Sequence, residues 1–216
     1  MAAISVQNRH STRIADLISL DNHYHYHSKK MKLVLGSASP RRKELLSKLG
    51  FEFRVLTASC DESFDPKQSP EEIVLSICKK KITALSEQIE TDETLLCADT
   101  IVYLDGKVLG KPANREEAIE MLNLLSGKEH EVYTGLMLKN KQGEHNLIDC
   151  TVVRFQELKP EDIEFYVDNY KPYDKAGSYG IQEWIGHVGV IEIRGSFTNV
   201  MGLPTQRLYP FLRRHL

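Results

Sequence analysis

Seven side chains of this sequence have the chemical types that metal–phosphate chemistry requires. They are one serine, four cations and two carboxylates: Ser37, Arg41, Arg42, Glu62, Lys81, Asp99 and Lys111. In such a site, carboxylates and phosphate oxygens bind a divalent ion, while arginine and lysine offset the remaining negative charge. The hypothesis requires that these side chains, which are far apart in the sequence, converge on one cleft.

The segment Leu33–Arg42 predicts a strand, a turn of small residues and the start of a helix. Ser39 can cap this helix, and Pro40 suits its first position, where the missing N–H group costs nothing. Unpaired amides at a helix start attract anions, and Arg41 and Arg42 add forked hydrogen-bond donors. The alternative is an ordinary strand-to-helix turn with two solvated arginines.

An acidic loop and the helix after it contain the next two candidates. The polar loop Ala58–Ser69 holds Glu62, and a serine–proline–glutamate–glutamate capping pattern then opens a helix predicted over about 70–89. The loop is either a salt-bridged surface or half of a metal–phosphate site. Lys81 falls on the apolar side of the helix, so its ammonium either reaches out to solvent or points into a polar cleft.

Asp99 and Lys111 belong to the middle of the chain. The apolar run Leu95–Ala98 predicts a buried strand that ends in Asp99 and Thr100. A carboxylate at a strand end commonly holds a metal or acts as a base, although Asp99 can also simply cap a turn. Lys111 precedes a proline, which predicts an extended backbone and a restricted side-chain direction.

The whole pattern predicts an α/β fold. Strands are predicted over 32–35, 51–57, 95–98, 101–104, 107–109, 129–139, 145–155 and 188–194. Helices are predicted over 40–49, 70–89, 115–125 and 160–169, with a last helix after 202–204. The pair Asp105-Gly106 is typical of a hairpin turn.

Composition and missing motifs exclude several classes of function. The 216 residues suit one large α/β domain or two small lobes, and a net charge of -2 argues against a nucleic-acid-coating protein. The four cysteines form no C-x-x-C pair, which favours reduced thiols in a cytosolic protein. No apolar run approaches the roughly 20 residues of a membrane helix. The motifs of P-loop NTPases and of dinucleotide-binding domains are absent.

Residues 1–30 differ in character from the rest of the sequence. They are mostly polar and rich in histidine, including the run His23-Tyr24-His25-Tyr26-His27, and they lack the apolar centre of a signal peptide. We expect a poorly ordered extension, or an upstream start codon chosen in place of Met31. Metal binding by the histidines would be adventitious.

From Met31 almost to the C-terminus, the sequence resembles the Maf family of nucleoside triphosphate pyrophosphatases. The similarity is carried, in order, by these motifs: Gly36–Leu46, Asp61-Glu62, Lys81, Ala98–Thr100, Gly110–Pro112, Leu125–Gly127, Asp174–Gln182 and Asn199–Pro204. A departure follows Gln182, where Glu183-Trp184 stands in place of the glycine that relatives often have.

This resemblance implies a two-lobed, mixed-sheet α/β fold over 31–216, similar to the inosine triphosphate pyrophosphatases, with the substrate in the cleft between lobes. It implies a cytoplasmic homodimer that uses a divalent cation, Mg²⁺ or Mn²⁺, and hydrolyses dTTP and UTP to the monophosphate and pyrophosphate. No nucleic-acid or membrane partner is expected.

The resemblance also assigns roles to individual residues. Asp99 is expected to orient or deprotonate the attacking water, and Glu62 and Asp99 to hold the metal. Phosphate binding falls to Ser37, Arg41, Arg42, Lys81 and Lys111. Base choice falls to Arg41, Thr100 and Gln182, since the Gln182 amide can both donate to and accept from uracil or thymine.

Two alternatives remain at this point. One is a pyrophosphatase for other modified or methylated nucleotides. The other is a regulator of cell division that binds nucleotides in the same cleft without turnover.

Overall fold

The computed structural model of the protein describes residues 32–215. The predicted extension over 1–30 therefore lies outside the described residues. No helix within 32–215 is both long and apolar enough to cross a membrane.

The described residues form one sheet of seven strands in the order β2-β1-β3-β5-β6-β7, with β4 paired to β3. The strands are β1 (Lys32–Gly36), β2 (Phe53–Leu56), β3 (Glu93–Leu104), β4 (Lys107–Leu109), β5 (Glu129–Asn140), β6 (Gly143–Phe155) and β7 (Val190–Arg194). The first three run parallel, and every other pairing is antiparallel. The expected mixed-sheet α/β fold is confirmed.

Seven α-helices surround the sheet within the described part of the chain. They are α1 (Pro40–Lys48), α2 (Pro70–Leu85), α3 (Arg115–Leu125), α4 (Pro160–Tyr170), α5 (Trp184–Gly189), α6 (Phe197–Val200) and α7 (Thr205–His215). Short 3₁₀ turns cover Ser86–Gln88 and Ala176–Ser178. The predicted caps are present: Ser39 caps α1, and Ser69 with Glu72 forms a capping box on α2.

The alternation of side chains along β1 shows how the core is divided. Leu33 and Leu35 belong to the large cluster that also contains buried residues of α1, α3, α4 and α7. Val34 lies in a smaller cluster with Cys78 and Ile82 of α2. Because successive strand residues point to opposite faces, α2 covers one face of the sheet, and α1, α3, α4 and α7 cover the opposite face.

An interruption in strand pairing creates the space for the site. On one edge of β3, pairing with β1 stops at Gly36 opposite Cys97, and pairing with β4 starts only at Val102. The intervening residues of β3, including Asp99 and Thr100, keep β5 as their partner on the other edge. A gap therefore opens where β1 has ended, which is the position that ligands favour in open α/β sheets.

The structure corrects three expectations. Asp99 does not end a strand: β3 runs unbroken through it because β5 pairs along nearly its whole length, with Asp99 opposite Gly135. Helix α2 stops at Leu85 rather than near 89. The strand predicted from 188 begins at Val190, since α5 occupies the preceding residues.

Candidate active site

The turn between β1 and α1 presents Ser37 and Arg42 to each other. The Ser37 hydroxyl accepts hydrogen bonds from the Ser39 amide and from Arg42 Nη1, both at 3.3 Å. The Ser39 hydroxyl accepts from the Arg42 amide at 3.4 Å, which fixes the first turn of α1. The sequence folds this way because a serine cap and a first-turn proline both favour a helix start here.

The Arg42 guanidinium is fixed by two further contacts. Nε donates to the Gly202 carbonyl at 2.8 Å, and Nη2 donates to Thr100 Oγ1 at 2.9 Å. Desolvation by burial lowers the pKa of Arg42, but an arginine stays charged at neutral pH. The structure thus holds a fixed positive charge beside Asp99, with one hydrogen-bond partner from each of three separate segments.

Two threonine hydroxyl groups link Arg42 to strand β5 through hydrogen bonds. Thr100 Oγ1 lies 2.9 Å from Thr134 Oγ1, which donates to the Asn199 carbonyl at 3.1 Å. Thr134 is completely buried. Thr100, predicted to take part in base choice, therefore uses its hydroxyl here to join Arg42 to β5.

The two predicted carboxylates meet at one ammonium group. Lys81 Nζ lies 2.6 Å from Asp99 Oδ1 and 2.9 Å from Glu62 Oε1. Lys111 Nζ lies 3.8 Å from the other oxygen of Glu62. Lys81 thus points into a polar cleft instead of reaching out to solvent, and the acidic loop faces the arginine-bearing helix start.

The opposite charges of Lys81 and its two carboxylate partners stabilise one another. Desolvation lowers the pKa of Lys81, but the attraction of Asp99 and the hydrogen bonds to both carboxylates outweigh it and hold that pKa above its ordinary value. Desolvation raises the pKa of Glu62, yet its hydrogen bond with Lys81 and the nearby cations bring the pKa below its usual range. The ammonium and the Glu62 carboxylate are therefore both charged at neutral pH.

Two adjoining chambers form the cleft. The Gln182 chamber is lined by Asp99, Thr100 and Gln182, among others, and the Glu62 chamber by Ser37, Glu62 and their neighbours. Six residues line both chambers, which shows that the chambers adjoin each other: Ser39, Arg41, Arg42, Lys81, Lys111 and Asp174. All nine residues predicted to act in the site border one or both chambers.

The Gln182 amide leaves one polar atom unsatisfied. Its Oε1 is buried and has no hydrogen-bond partner within residues 32–215. A buried carbonyl oxygen without a partner is costly, so this oxygen retains an unused capacity to accept a hydrogen bond.

Three charged residues that form a row of ion pairs with the predicted Arg41 were not among the site residues predicted from the sequence: Asp174, Lys175 and Glu183. Arg41 Nη1 binds Asp174 Oδ2 at 2.7 Å, and Lys175 Nζ binds Asp174 Oδ1 at 2.7 Å and Glu183 Oε1 at 3.0 Å. Desolvation raises the pKa of Asp174, but its hydrogen bonds with Lys175 and Arg41 outweigh this and leave the pKa below its ordinary value. The available signal was an acid–lysine pair next to a glycine-rich segment.

The donor set can hold a small hard cation. Glu62 and Asp99 are the two carboxylates that contact Lys81, and Mg²⁺ is usually bound by one or two carboxylates together with substrate phosphates. Within residues 32–215, no group of three or more His, Cys, Asp or Glu side chains forms a complete metal cage. The residues present therefore fit a cation that the substrate helps to bind.

Comparison with known proteins places the chain among defined relatives. A dTTP/UTP pyrophosphatase of Bacteroides fragilis is 50% identical over 186 residues, which are 86% of this chain and 96% of that protein. A dTTP/UTP pyrophosphatase of Flavobacterium johnsoniae is 41% identical over 184 residues, covering 85% of this chain and 95% of that protein.

The solved structure of the Staphylococcus aureus Ham1 protein has a similar fold. It superposes with a TM-score of 0.51 at 13% identity and covers 86% of this chain and 100% of that chain. At this identity, the likeness concerns the fold alone.

The profile of the family described as Maf-like protein matches residues 32–215, which is the whole of the described fold. The cleft that brings together the turn after β1, Lys81, Asp99 and the 174–182 segment is thus built from the segments that carry the resemblance. By this match and by its relatives, the chain belongs to the Maf family.

Proposed function

We propose that the protein hydrolyses nucleoside triphosphates between the α- and β-phosphates, with dTTP and UTP as its preferred substrates. The observation that carries the proposal is the meeting of Glu62, Asp99 and Lys81 where the Glu62 chamber and the Gln182 chamber adjoin. The names of the relatives supply the substrate class.

The triphosphate would lie along the cations that both chambers share. Arg42 is fixed by three partners, and Lys81, Lys111 and Arg41 border the same space. Fixed donors stabilise charge that develops on the phosphates without having to reorganise during the reaction. These side chains would therefore bind the substrate and stabilise the leaving pyrophosphate.

The base would lie against Gln182. Its unpaired Oε1 can accept a hydrogen bond from the ring N–H of uracil or thymine, while its amide nitrogen can donate to a base carbonyl. Cytosine lacks that N–H group, so the same carbonyl would face a ring acceptor. This pairing favours the two proposed substrates.

Asp99 would serve the chemical step. A water oxygen forms a bond to the α-phosphorus, the bond to the bridging oxygen breaks, and Asp99 orients the water or accepts its proton. The Asp99 carboxylate is held by Lys81 at 2.6 Å and is buried, which restricts its direction. Glu62 and Asp99 would hold a divalent cation, which, when bound, lowers the pKa of coordinated water and screens the phosphate charge.

A nucleotide panel tests the proposal. Purified protein is incubated with Mg²⁺ or Mn²⁺ and dTTP, UTP, CTP, ATP, GTP or methylated nucleotides, and pyrophosphate is measured. Release from dTTP and UTP ahead of the others is the expected result. Preference for the methylated nucleotides, or nucleotide binding without pyrophosphate release, contradicts it and favours one of the two alternatives.

Four further features belong to the same proposal. We expect a cytoplasmic homodimer that requires Mg²⁺ or Mn²⁺ and has no nucleic-acid or membrane partner. The metal requirement is checked by removing divalent ions with a chelator and restoring them, and the dimer by light scattering in solution.

A further inference from the structure

Two neighbouring arginines at the start of α1 are held in different ways. The Arg42 guanidinium donates to three partners, and two of them lie far away in the sequence. Within residues 32–215, the Arg41 guanidinium has one hydrogen-bond partner, the Asp174 carboxylate, which its Nη1 reaches at 2.7 Å. The direction of the Arg41 side chain therefore depends on a single residue.

Asp174 is itself held through its other carboxylate oxygen. Its Oδ1 accepts from Lys175 Nζ at 2.7 Å, and the same ammonium lies 3.0 Å from Glu183 Oε1. Lys175 is buried, and the other oxygen of Glu183 accepts from the hydroxyl of the buried Tyr166. The row of ion pairs thus connects Arg41 to buried groups, and Asp174 is the member that contacts it.

Arg41 keeps part of its surface free for a ligand. Its side chain is 23% exposed, and that of Asp174 is 57% exposed. A guanidinium has five N–H donors, and the bond to Asp174 uses one of them. Because both residues line both chambers of the cleft, a nucleotide bound there has access to Arg41.

The Arg41–Asp174 pair is better suited to preorganising an arginine than to stabilising the fold. An ion pair as exposed as this one contributes little to the free energy of unfolding. An arginine side chain has many rotamers, so ordering it when a ligand binds costs entropy. A carboxylate that already holds the guanidinium reduces this cost before the ligand arrives.

The negative charge of Asp174 has a second, opposing effect, because it repels phosphate groups. Arg41 and Lys175 both contact this carboxylate and offset its charge. We therefore expect preorganisation to outweigh repulsion. The two effects differ in sign: removal of the carboxylate weakens nucleotide binding in the first case and strengthens it in the second.

We propose that Asp174 is a positioning residue that holds the Arg41 guanidinium in place, so that Arg41 binds the nucleotide without first having to be ordered. The inference rests on the proposed function, because it concerns the binding of nucleotide in the same cleft. It gives a role to a carboxylate that was not among the predicted site residues.

Asp174→Asn tests the inference, because an amide keeps the shape of the side chain but offers only one oxygen to the two cations. The dissociation constant of the α,β-methylene analogue of dTTP is measured by calorimetry with Mg²⁺, and kcat and KM are measured with dTTP. We expect the dissociation constant and KM to rise about 10-fold, as for the loss of a charge-assisted hydrogen bond, and kcat to change less than about 2-fold.

A double-mutant cycle separates positioning from a merely structural role. Arg41→Met removes the guanidinium and should by itself weaken binding of the analogue. If Asp174 acts through Arg41, adding Asp174→Asn to Arg41→Met causes no further weakening.

The matched control is Asp168→Asn. It breaks an exposed aspartate–arginine pair, in which Asp168 lies 2.6 Å from Arg115, outside the lining of both chambers. Binding of the analogue and the kinetic constants should therefore stay unchanged. Thermal unfolding is measured for every variant, and if Asp174→Asn does not fold, Asp174→Ser, whose side chain is shorter and uncharged, is carried through the same cycle.

The outcomes separate the two proposals. Unchanged binding by Asp174→Asn overturns the inference, and so does tighter binding, because it shows that the carboxylate competes with phosphate for Arg41. Equal weakening with and without the Arg41 guanidinium also overturns it, since Asp174 then has only a structural role. In these cases the proposed function stands if the unmodified protein binds the analogue and releases pyrophosphate from dTTP. If the unmodified protein does neither, both proposals fail.

Discussion

Asp99 occupies the middle of a buried strand, with its carboxylate 2.6 Å from the ammonium of Lys81. The apolar residues around it in β3, Cys97, Ala98 and Ile101, are completely or nearly completely buried. A charged group in such surroundings is costly unless it is paired. Lys81 supplies that pairing, and Asp99→Asn removes the charge with little change of shape.

At the residue scale, Asp99→Asn should reduce pyrophosphate release from dTTP by about 1,000-fold, because an amide cannot take a proton from water. Nucleotide binding and the thermal unfolding midpoint should change little. The matched control is Asp149→Asn, which removes an acid on the same sheet that contacts Arg207 at 3.2 Å. Near-normal turnover by Asp99→Asn would remove this residue from the mechanism.

At the scale of elements, each site residue depends on how its helix or strand is fixed. Helix α2 carries Lys81, and its start is stabilised by the Ser69 hydroxyl and the Glu72 carboxylate. Strands β3 and β5 are joined near the site by the hydroxyls of Thr100 and Thr134. We expect a change in the cap of α2 to affect stability, and a change in the Thr100–Thr134 contact to affect the position of Arg42 as well.

Ser69→Ala should lower the free energy of unfolding by about 1 kcal/mol, since the Glu72 amide then loses its capping partner. Turnover should stay close to that of the unmodified protein, because Lys81 lies three turns further along α2 and is held by its own partners. Urea unfolding measures the effect, with the exposed Ser47→Ala as control. An unchanged unfolding free energy would show that the cap contributes nothing.

Thr134→Val should impair both stability and activity. It removes the hydrogen-bond acceptor of the Thr100 hydroxyl and the side-chain donor to the Asn199 carbonyl in a buried place, which costs about 1–3 kcal/mol. Because Thr100 in turn holds Arg42, kcat/KM should fall about 10-fold. Thr134→Ser keeps the hydroxyl and should behave normally. Unchanged kinetics in Thr134→Val would show that Arg42 is positioned without these hydroxyl contacts.

At the scale of the whole molecule, a buried histidine packs against the large core. His130 is buried, stacks on Phe155 at 5.6 Å between ring centres and has Nε2 2.7 Å from the Tyr179 hydroxyl. Burial lowers the pKa of His130 to about 4. The folded protein therefore keeps this ring neutral at pH values where the unfolded chain binds a proton.

This difference makes stability depend on pH. The contribution of neutral His130 is complete above about pH 6.5 and is lost as the pH falls towards 4, by about 3 kcal/mol in all. Urea unfolding between pH 7.5 and pH 4.5 measures the slope. His130→Gln, which keeps a polar partner for Tyr179 and does not titrate, should show a shallower slope. Equal slopes would assign the acid sensitivity to other groups.

The sequence by itself determined the features that depend on neighbouring residues. Ser39 and Pro40 start α1, Ser69 and Glu72 cap α2, and Asp105-Gly106 forms the hairpin turn with positive φ at both residues. These features arise from local hydrogen bonds and backbone preferences within a few residues. The order of motifs also identified the family.

Only the tertiary structure decided what lies between distant segments. The continuation of β3 through Asp99 follows from its pairing with β5, and the meeting of Glu62 and Asp99 follows from the position of Lys81 on α2. The contact between Arg41 and Asp174 joins residues 133 positions apart. Such contacts depend on the packing of whole elements, which local preferences do not encode. Physical proximity across the cleft therefore turned a set of suitable side chains into a candidate site.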